Sequence, residues 1–169
     1  MSAHNRILVV DDEADLRDVL KIYLEALDYV VETAPNGQEG LERFRAWRPA
    51  IVMTDIKMPG MDGIDLLKSI KSEDPETEVI MITGHGDMAL AIDSLKLEAT
   101  DFITKPINDD MLEVALHRAE ERIEMRQQLK AYTENLEQIA EEKTRRLVEV
   151  ENLAAVGRAA SELAHTIKN

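Results

Sequence analysis

The chain has 169 residues, 32% of them charged, room for one domain of ordinary size plus an appended segment but not for two full globular domains. It contains no cysteine, which excludes a disulfide scaffold, a zinc finger and a thiol nucleophile. The net charge of -14 divides unevenly, with 22 acidic and 11 basic residues over 1–109 and 12 and 9 over 110–169. Neither half offers the clustered Lys and Arg that drive phosphate-backbone binding, so no nucleic-acid partner is expected. Purely aliphatic runs reach only four residues, as at 7–10, so no membrane span is expected. The opening MSAHNRILVVDDE lacks the long apolar stretch of a signal peptide, and a cytoplasmic protein is the expectation.

In chain order, five short apolar runs occupy residues 7–10, 29–32, 51–54, 79–83 and 102–104. Unbroken runs of this length suit strands buried on both faces. Between them, residues 14–27, 38–47, 64–72 and 88–97 place apolar side chains three and four apart, most clearly Leu16, Val19, Leu20, Tyr23, Leu24 and Leu27. Strand and helix alternating five times predict an α/β fold, a five-stranded parallel doubly wound (flavodoxin-like) sheet with helices on both faces. Ligands in such folds sit beyond the carboxyl ends of the strands. There the first run meets Asp11, Asp12 and Glu13, the third Asp55, the fourth Thr83 and Gly84, the fifth Lys105 and Pro106.

A single acidic residue after a strand can be no more than a helix cap. Here carboxylates end two different strands and face a lysine from a third. Like charges so placed repel unless a cation joins them, and a hard divalent ion with oxygen ligands, Mg2+, is the natural partner.

The segments ILVVDDE (7–13), MTDIKMPGMDGIDLL (53–67), VIMITGHGD (79–87) and DFITKPI (101–107) resemble the receiver domain of two-component response regulators, over about residues 5–125. The resemblance implies that Asp55 accepts a phosphoryl group from a phosphohistidine on an upstream histidine kinase or phosphotransfer protein. It implies Mg2+ held by Asp12 directly, by Asp11 through water, by Asp55, and by the backbone carbonyl of Lys57. Lys105 would pair with a phosphoryl oxygen across a cis Lys105–Pro106 bond, Thr83 and Phe102 would form the switch, and Lys57 and His85 match positions that tune acyl-phosphate hydrolysis. Two enzyme classes fit less well. Haloacid-dehalogenase-type phosphatases carry an aspartate where Lys57 stands, and flavodoxin needs a hydroxyl- and glycine-rich phosphate loop where this chain has DDEAD.

The chain changes character near Pro106. All five prolines lie at or before it, and residues 107–156 contain neither glycine nor proline, which predicts one long helix continuing from the domain 1–125. Leu129, Tyr132, Leu136 and Ile139 follow the 3-4-3 spacing of a coiled-coil seam. Lys143, Leu147, Val150 and Ala154 continue it through two successive fours, a stutter. A homodimeric coiled coil over 110–156 is therefore expected. Residues 153–169, LAAVGRAASELAHTIKN, resemble the start of the dimerisation and histidine-phosphotransfer helix of sensor histidine kinases. That resemblance implies a phosphorylatable His165 and a water-orienting Asn169, although Thr166 replaces the usual acidic neighbour. No second hairpin helix or ATP-binding domain fits in this chain, so no ATP binding is expected of it. The expected function is phosphorelay signalling that regulates an attached kinase module; the alternative is a phosphorylation-silent dimeric scaffold.

Overall fold

The computed structural model describes residues 5–84 and 86–168. Five parallel strands, β1 (Arg6–Val10), β2 (Val30–Ala34), β3 (Ile51–Asp55), β4 (Glu78–Thr83) and β5 (Asp101–Thr104), form one sheet in the order β2-β1-β3-β4-β5. Helices α1 (Ala14–Ala26), α2 (Gly37–Trp47), α3 (Gly63–Glu73), α4 (Met88–Lys96) and α5 (Asp109–Lys168) follow them in turn. The fold is the expected doubly wound one. β1, β3 and β4 are buried along almost their whole length, as strands covered on both faces must be.

Alternation along the strands divides the core in two. Ile7, Val9, Ile51, Met53, Ile80 and Ile82 face Leu20 and Leu24 of α1 and Leu112 and Leu116 of α5. Leu8, Val10, Val52, Val79 and Met81 face Phe44 of α2, Leu66, Leu67 and Ile70 of α3, and Ala91 of α4. Local chemistry fixes the helix starts: Asn36 Oδ1 accepts from the Glu39 amide at 2.8 Å and Asp62 Oδ1 from the Asp65 amide at 2.8 Å, each satisfying an amide that the first turn leaves without a partner.

Element boundaries agree with expectation to within one or two residues, and two of the shifts have a clear cause. β2 runs over Val30–Ala34 rather than 29–32, because this edge strand pairs only with β1, from Arg6↔Val30 to Val10↔Ala34. Its partly exposed Glu32 and Thr33 need not be apolar. α1 ends at Ala26 rather than residue 27, since Asp28 adopts a left-handed backbone with φ 65°.

The chain divides into two compact units, Met1–Met125 and Arg126–Asn169. In the first, α5 buries Leu112, Ala115, Leu116 and Ala119. In the second it is helical throughout its described part, Gly157 included, and exposes Leu129, Tyr132, Leu136, Ile139, Leu147 and Val150. Among the described residues no helix is long and apolar enough to cross a membrane.

Candidate functional site

Parallel strands all deliver their carboxyl ends to one edge of the sheet, and the chain places ionisable side chains there on β1, β3 and β5. Asp11 still donates its amide to Ala34 O at 3.2 Å, and its side chain is fully buried. Its Oδ1 accepts from the Glu13 amide at 2.8 Å, while Arg17 holds its carbonyl at 2.6 Å. Asp55 ends β3 at 6% exposure, with the Lys57 amide placed to lower its carboxyl slightly. Lys105 follows β5, anchored by its amide to Thr83 O at 2.7 Å, and the Lys105–Pro106 bond is cis.

The Lys105 Nζ lies 3.2 Å from Asp55 Oδ2, 3.2 Å from Asp11 Oδ2 and 2.7 Å from Glu13 Oε1. It donates hydrogen bonds to Glu13 and Asp55. Asp11 Oδ2, though near, is out of line for one and is a buried oxygen with no hydrogen-bond partner. Asp12 is exposed beside this cluster. One carboxylate oxygen each from Asp11, Asp12 and Asp55 lie within 4.8 Å of one another.

The electrostatics follow from that crowding. Burial pushes the Asp55 carboxyl above its ordinary range; the Lys105 ammonium opposes the shift and the Asp11 carboxylate reinforces it. Asp11 is likewise raised by burial, against the Glu13 amide and the charge of Lys105. Burial alone would lower Lys105, but the hydrogen bond to Glu13 and the charges of Asp11 and Asp55 outweigh it and hold the ammonium well above its usual value. Glu13, hydrogen-bonded to Lys105, is lowered. A partly desolvated, all-oxygen donor set with a buried oxygen held only by ion pairing and one ammonium against several carboxylates fits a hard divalent cation.

The structure thus brings Asp11, Asp12, Asp55 and Lys105 together. Thr83 is buried at the neighbouring end of β4, its hydroxyl donating a long 3.4 Å bond to Gly84 O. Phe102 on β5 is half-buried against the Phe44 side of the core. His165 is exposed on α5 in the Arg126–Asn169 unit, and Thr166 Oγ1 donates to Glu162 O at 2.9 Å. His85 and Asn169 lie outside the described residues.

Three features escape the sequence reading. Glu13 is a direct partner of Lys105. The Lys57 ammonium lies 2.5 Å from Asp87 Oδ1; the only prior signal was a carboxylate directly before an apolar helix. Gly63 is required by proximity, because a Cβ there would stand 2.0 Å from the Asp55 carbonyl oxygen.

A doubly wound parallel domain with carboxylates and a lysine converging at its carboxyl edge defines a class, and comparison with known proteins resolves the family. Residues 7–117 match the response regulator receiver domain. The chain belongs to that family, the receivers of two-component phosphorelay signalling. It is 37% identical over 124 residues to the transcriptional regulatory protein FixJ of Bradyrhizobium diazoefficiens, covering 71% of this chain and 60% of that protein. It is 40% identical over 130 residues to the nitrogen assimilation regulatory protein NtrX of Azorhizobium caulinodans, covering 76% of this chain and 28% of that one. The crystal structure of a response regulator receiver domain protein from Clostridium thermocellum superposes with a TM-score of 0.69 at 37% identity, covering 71% of this chain and 97% of the other. The chain therefore spans between about a quarter and three fifths of the length of these two curated regulators.

Proposed function

We propose that this chain accepts a phosphoryl group on Asp55 from a phosphohistidine of an upstream histidine kinase or phosphotransfer protein. A carboxylate oxygen of Asp55 attacks phosphorus, the new P–O bond forms as the P–N bond breaks, and the departing imidazole takes up a proton. The observation that carries the reading is the Asp11, Asp12 and Asp55 cluster, whose buried Asp11 oxygen is held only by ion pairing, beside an ammonium 3.2 Å from Asp55. Asp11, Asp12, Asp55 and the backbone carbonyl of Lys57 would hold Mg2+, which when bound neutralises charge on the transferring group. Lys105 exchanges its contact with Asp55 for one with a phosphoryl oxygen. Thr83, on the adjacent strand end, donates its hydroxyl to the same group, and Phe102 follows the displacement of Thr83.

The output half of the proposal concerns Arg126–Asn169. The exposed seam of Leu129, Tyr132, Leu136 and Ile139 supports a homodimeric coiled coil carrying the state of Asp55 to a histidine kinase module whose first helix starts near residue 153 and carries His165. FixJ and NtrX are by name a transcriptional and a nitrogen assimilation regulator; the kinase output proposed for this chain rests on the resemblance of residues 153–169 to a histidine-phosphotransfer helix.

Incubation with Mg2+ and acetyl phosphate, followed by intact-mass and peptide analysis, tests the acceptor. One added phosphoryl group is expected, absent without Mg2+ and absent in Asp55→Asn. Labelling that survives Asp55→Asn overturns the assignment, and no labelling at all returns the chain to a phosphorylation-silent scaffold.

A further inference from the structure

The ion pair between Lys57 and Asp87 joins two loops at the mouth of the acidic cluster. Lys57 stands two residues after Asp55; its ammonium reaches Asp87 Oδ1 at 2.5 Å. Asp87 immediately precedes α4, where an aspartate ordinarily accepts from an amide of the first turn. It makes no such cap, although it is 7% exposed. A buried carboxylate at a helix start is thus engaged by a lysine from another loop and makes no cap to its own helix.

The element held in this way is weakly anchored by other means. The fully buried residues of α4 are Ala91 and Ser94, both small, whereas α3 buries Leu66, Leu67 and Ile70. Met88, Leu90, Ile92 and Leu95 of α4 are between 40% and 49% exposed. α4 is therefore seated less deeply than α3, and the Lys57–Asp87 pair adds a fixed point at its start. The connection from β4 contains Gly84 and Gly86, the latter at φ 97°, and begins at Thr83, whose hydroxyl among the described residues makes a 3.4 Å contact to Gly84 O.

We infer that the Lys57–Asp87 pair is a latch. It holds the β4–α4 connection in the unphosphorylated arrangement and must open for Thr83 to reach a phosphoryl group, so that Asp87 acts as a positioning residue for the switch. Opening frees the Asp87 carboxylate to cap α4, which offsets part of the cost and makes the transition two-state. The inference deepens the reading of Asp55 as phosphoacceptor and rests on it.

The test is amide hydrogen exchange over residues 86–91 of the full chain, with beryllofluoride affinity in Mg2+ as the second readout. Asp87→Asn keeps the volume and the capping ability but removes the ion pair; Lys57→Met breaks the same pair from an exposed side chain that the fold does not require. Each single variant is expected to speed exchange of these amides about fivefold, the scale of one half-buried pair, and the double variant no further than either single. Asp87→Asn is also expected to tighten beryllofluoride binding about fivefold, because the latched state no longer competes. Unchanged exchange in both single variants, effects that multiply in the double variant, or weaker beryllofluoride binding by Asp87→Asn would each overturn the latch. If the unaltered protein fails to bind beryllofluoride in Mg2+, the acceptor reading fails instead, and the exchange of the metal-free protein still decides the latch.

Discussion

Gly63 connects helix packing to site geometry, and Gly63→Ala tests that connection. Its backbone is not in the left-handed region; what demands glycine is the closeness of the start of α3 to the end of β3. An added Cβ would stand 2.0 Å from Asp55 O, 2.9 Å from Asp55 C and 2.9 Å from Ile56 Cα. To reach even 3.0 Å the helix start and the strand end must part by about 1 Å. Both are backbone, locked by the Gly63 amide to Ile56 O at 2.8 Å and by the Ile56 amide to Ile82 O at 2.9 Å, so no flexible side chain can yield. Overpacking costs about 1–3 kcal/mol, and backbone against backbone belongs at the upper end, about 3 kcal/mol. For a unit of this size that lowers Tm by on the order of 10 °C. A displacement of about 1 Å at the nucleophile slows its reaction on the order of 100-fold. Gly60→Ala is the control: it has φ 79° and nothing within 4 Å of a built Cβ, so it loses about 1–2 kcal/mol to backbone strain while leaving Asp55 in place. Urea and thermal unfolding, with the rate of labelling by acetyl phosphate, separate the two. A Gly63→Ala protein as stable and as reactive as the unaltered one would refute the argument, as would a Gly60→Ala protein that loses as much reactivity.

Three further predictions follow from the charges and the exposed seam. Asp11 and Asp55 are both raised, so their protonated forms are favoured by folding; the stability they contribute is complete below their ordinary value of 3.8 and is lost as pH rises through the raised range. At neutral pH Asp55→Asn should therefore have a higher Tm than the unaltered protein in EDTA and gain less from Mg2+; a lower Tm in EDTA refutes this. Lys105→Met removes the one ammonium shared by Asp11, Glu13 and Asp55 and should lose about 1–3 kcal/mol in urea unfolding without metal, part of it restored by Mg2+; no loss in EDTA means that the cluster is hydrated rather than paired. Light scattering should find the full chain dimeric and a truncation after Met125 monomeric, and a stable dimer of the shorter fragment would move the interface into the first unit.

The sequence reveals what repeats and what ends a strand. β1, β3 and β4 are legible because burial on both faces makes them runs of apolar residues, with Thr54 of β3 a buried exception, and Asp11, Asp55 and Lys105 are legible because parallel topology sends every strand end to one edge. β2 is misplaced by the same rule, since an edge strand tolerates Glu32 and Thr33. The long α5 is announced by the absence of breakers, and Gly157, its weakest point, is helical. The contacts of Glu13 with Lys105 and of Asp87 with Lys57 are not legible, because each depends on side-chain reach between loops far apart in sequence, which neither periodicity nor spacing encodes.

The root of α5 shows how an event at Asp55 has a physical route outward. Leu112, Ala115, Leu116 and Ala119 recur at three- and four-residue spacing and place one stripe of α5 in the core. Around that stripe the helix is held by charge and hydrogen bonds. Tyr23 donates to Glu113 at 2.9 Å and Tyr29 to Glu120; the Tyr23 phenol, pushed up to about 12 by that bond, remains a neutral donor at any physiological pH. Arg118 pairs with Asp101 at 2.6 Å, and Arg122 reaches the fully buried Glu78 at 3.5 Å. Arg118 and Arg122 are one turn apart on the helix, and their partners are the first residues of β5 and β4. The last residue of β4 is Thr83, and β5 is followed at once by Lys105. The two strands whose carboxyl ends flank the acidic cluster therefore hold α5 at their amino ends. A rotation of α5 would have to exchange the packed stripe and both ion pairs at once, and packed stripes have discrete rather than continuous alternatives. If Asp55 is phosphorylated as proposed, a displacement of Thr83 and Lys105 toward it would have a contiguous route to α5 through the strands β4 and β5 that Arg118 and Arg122 grip.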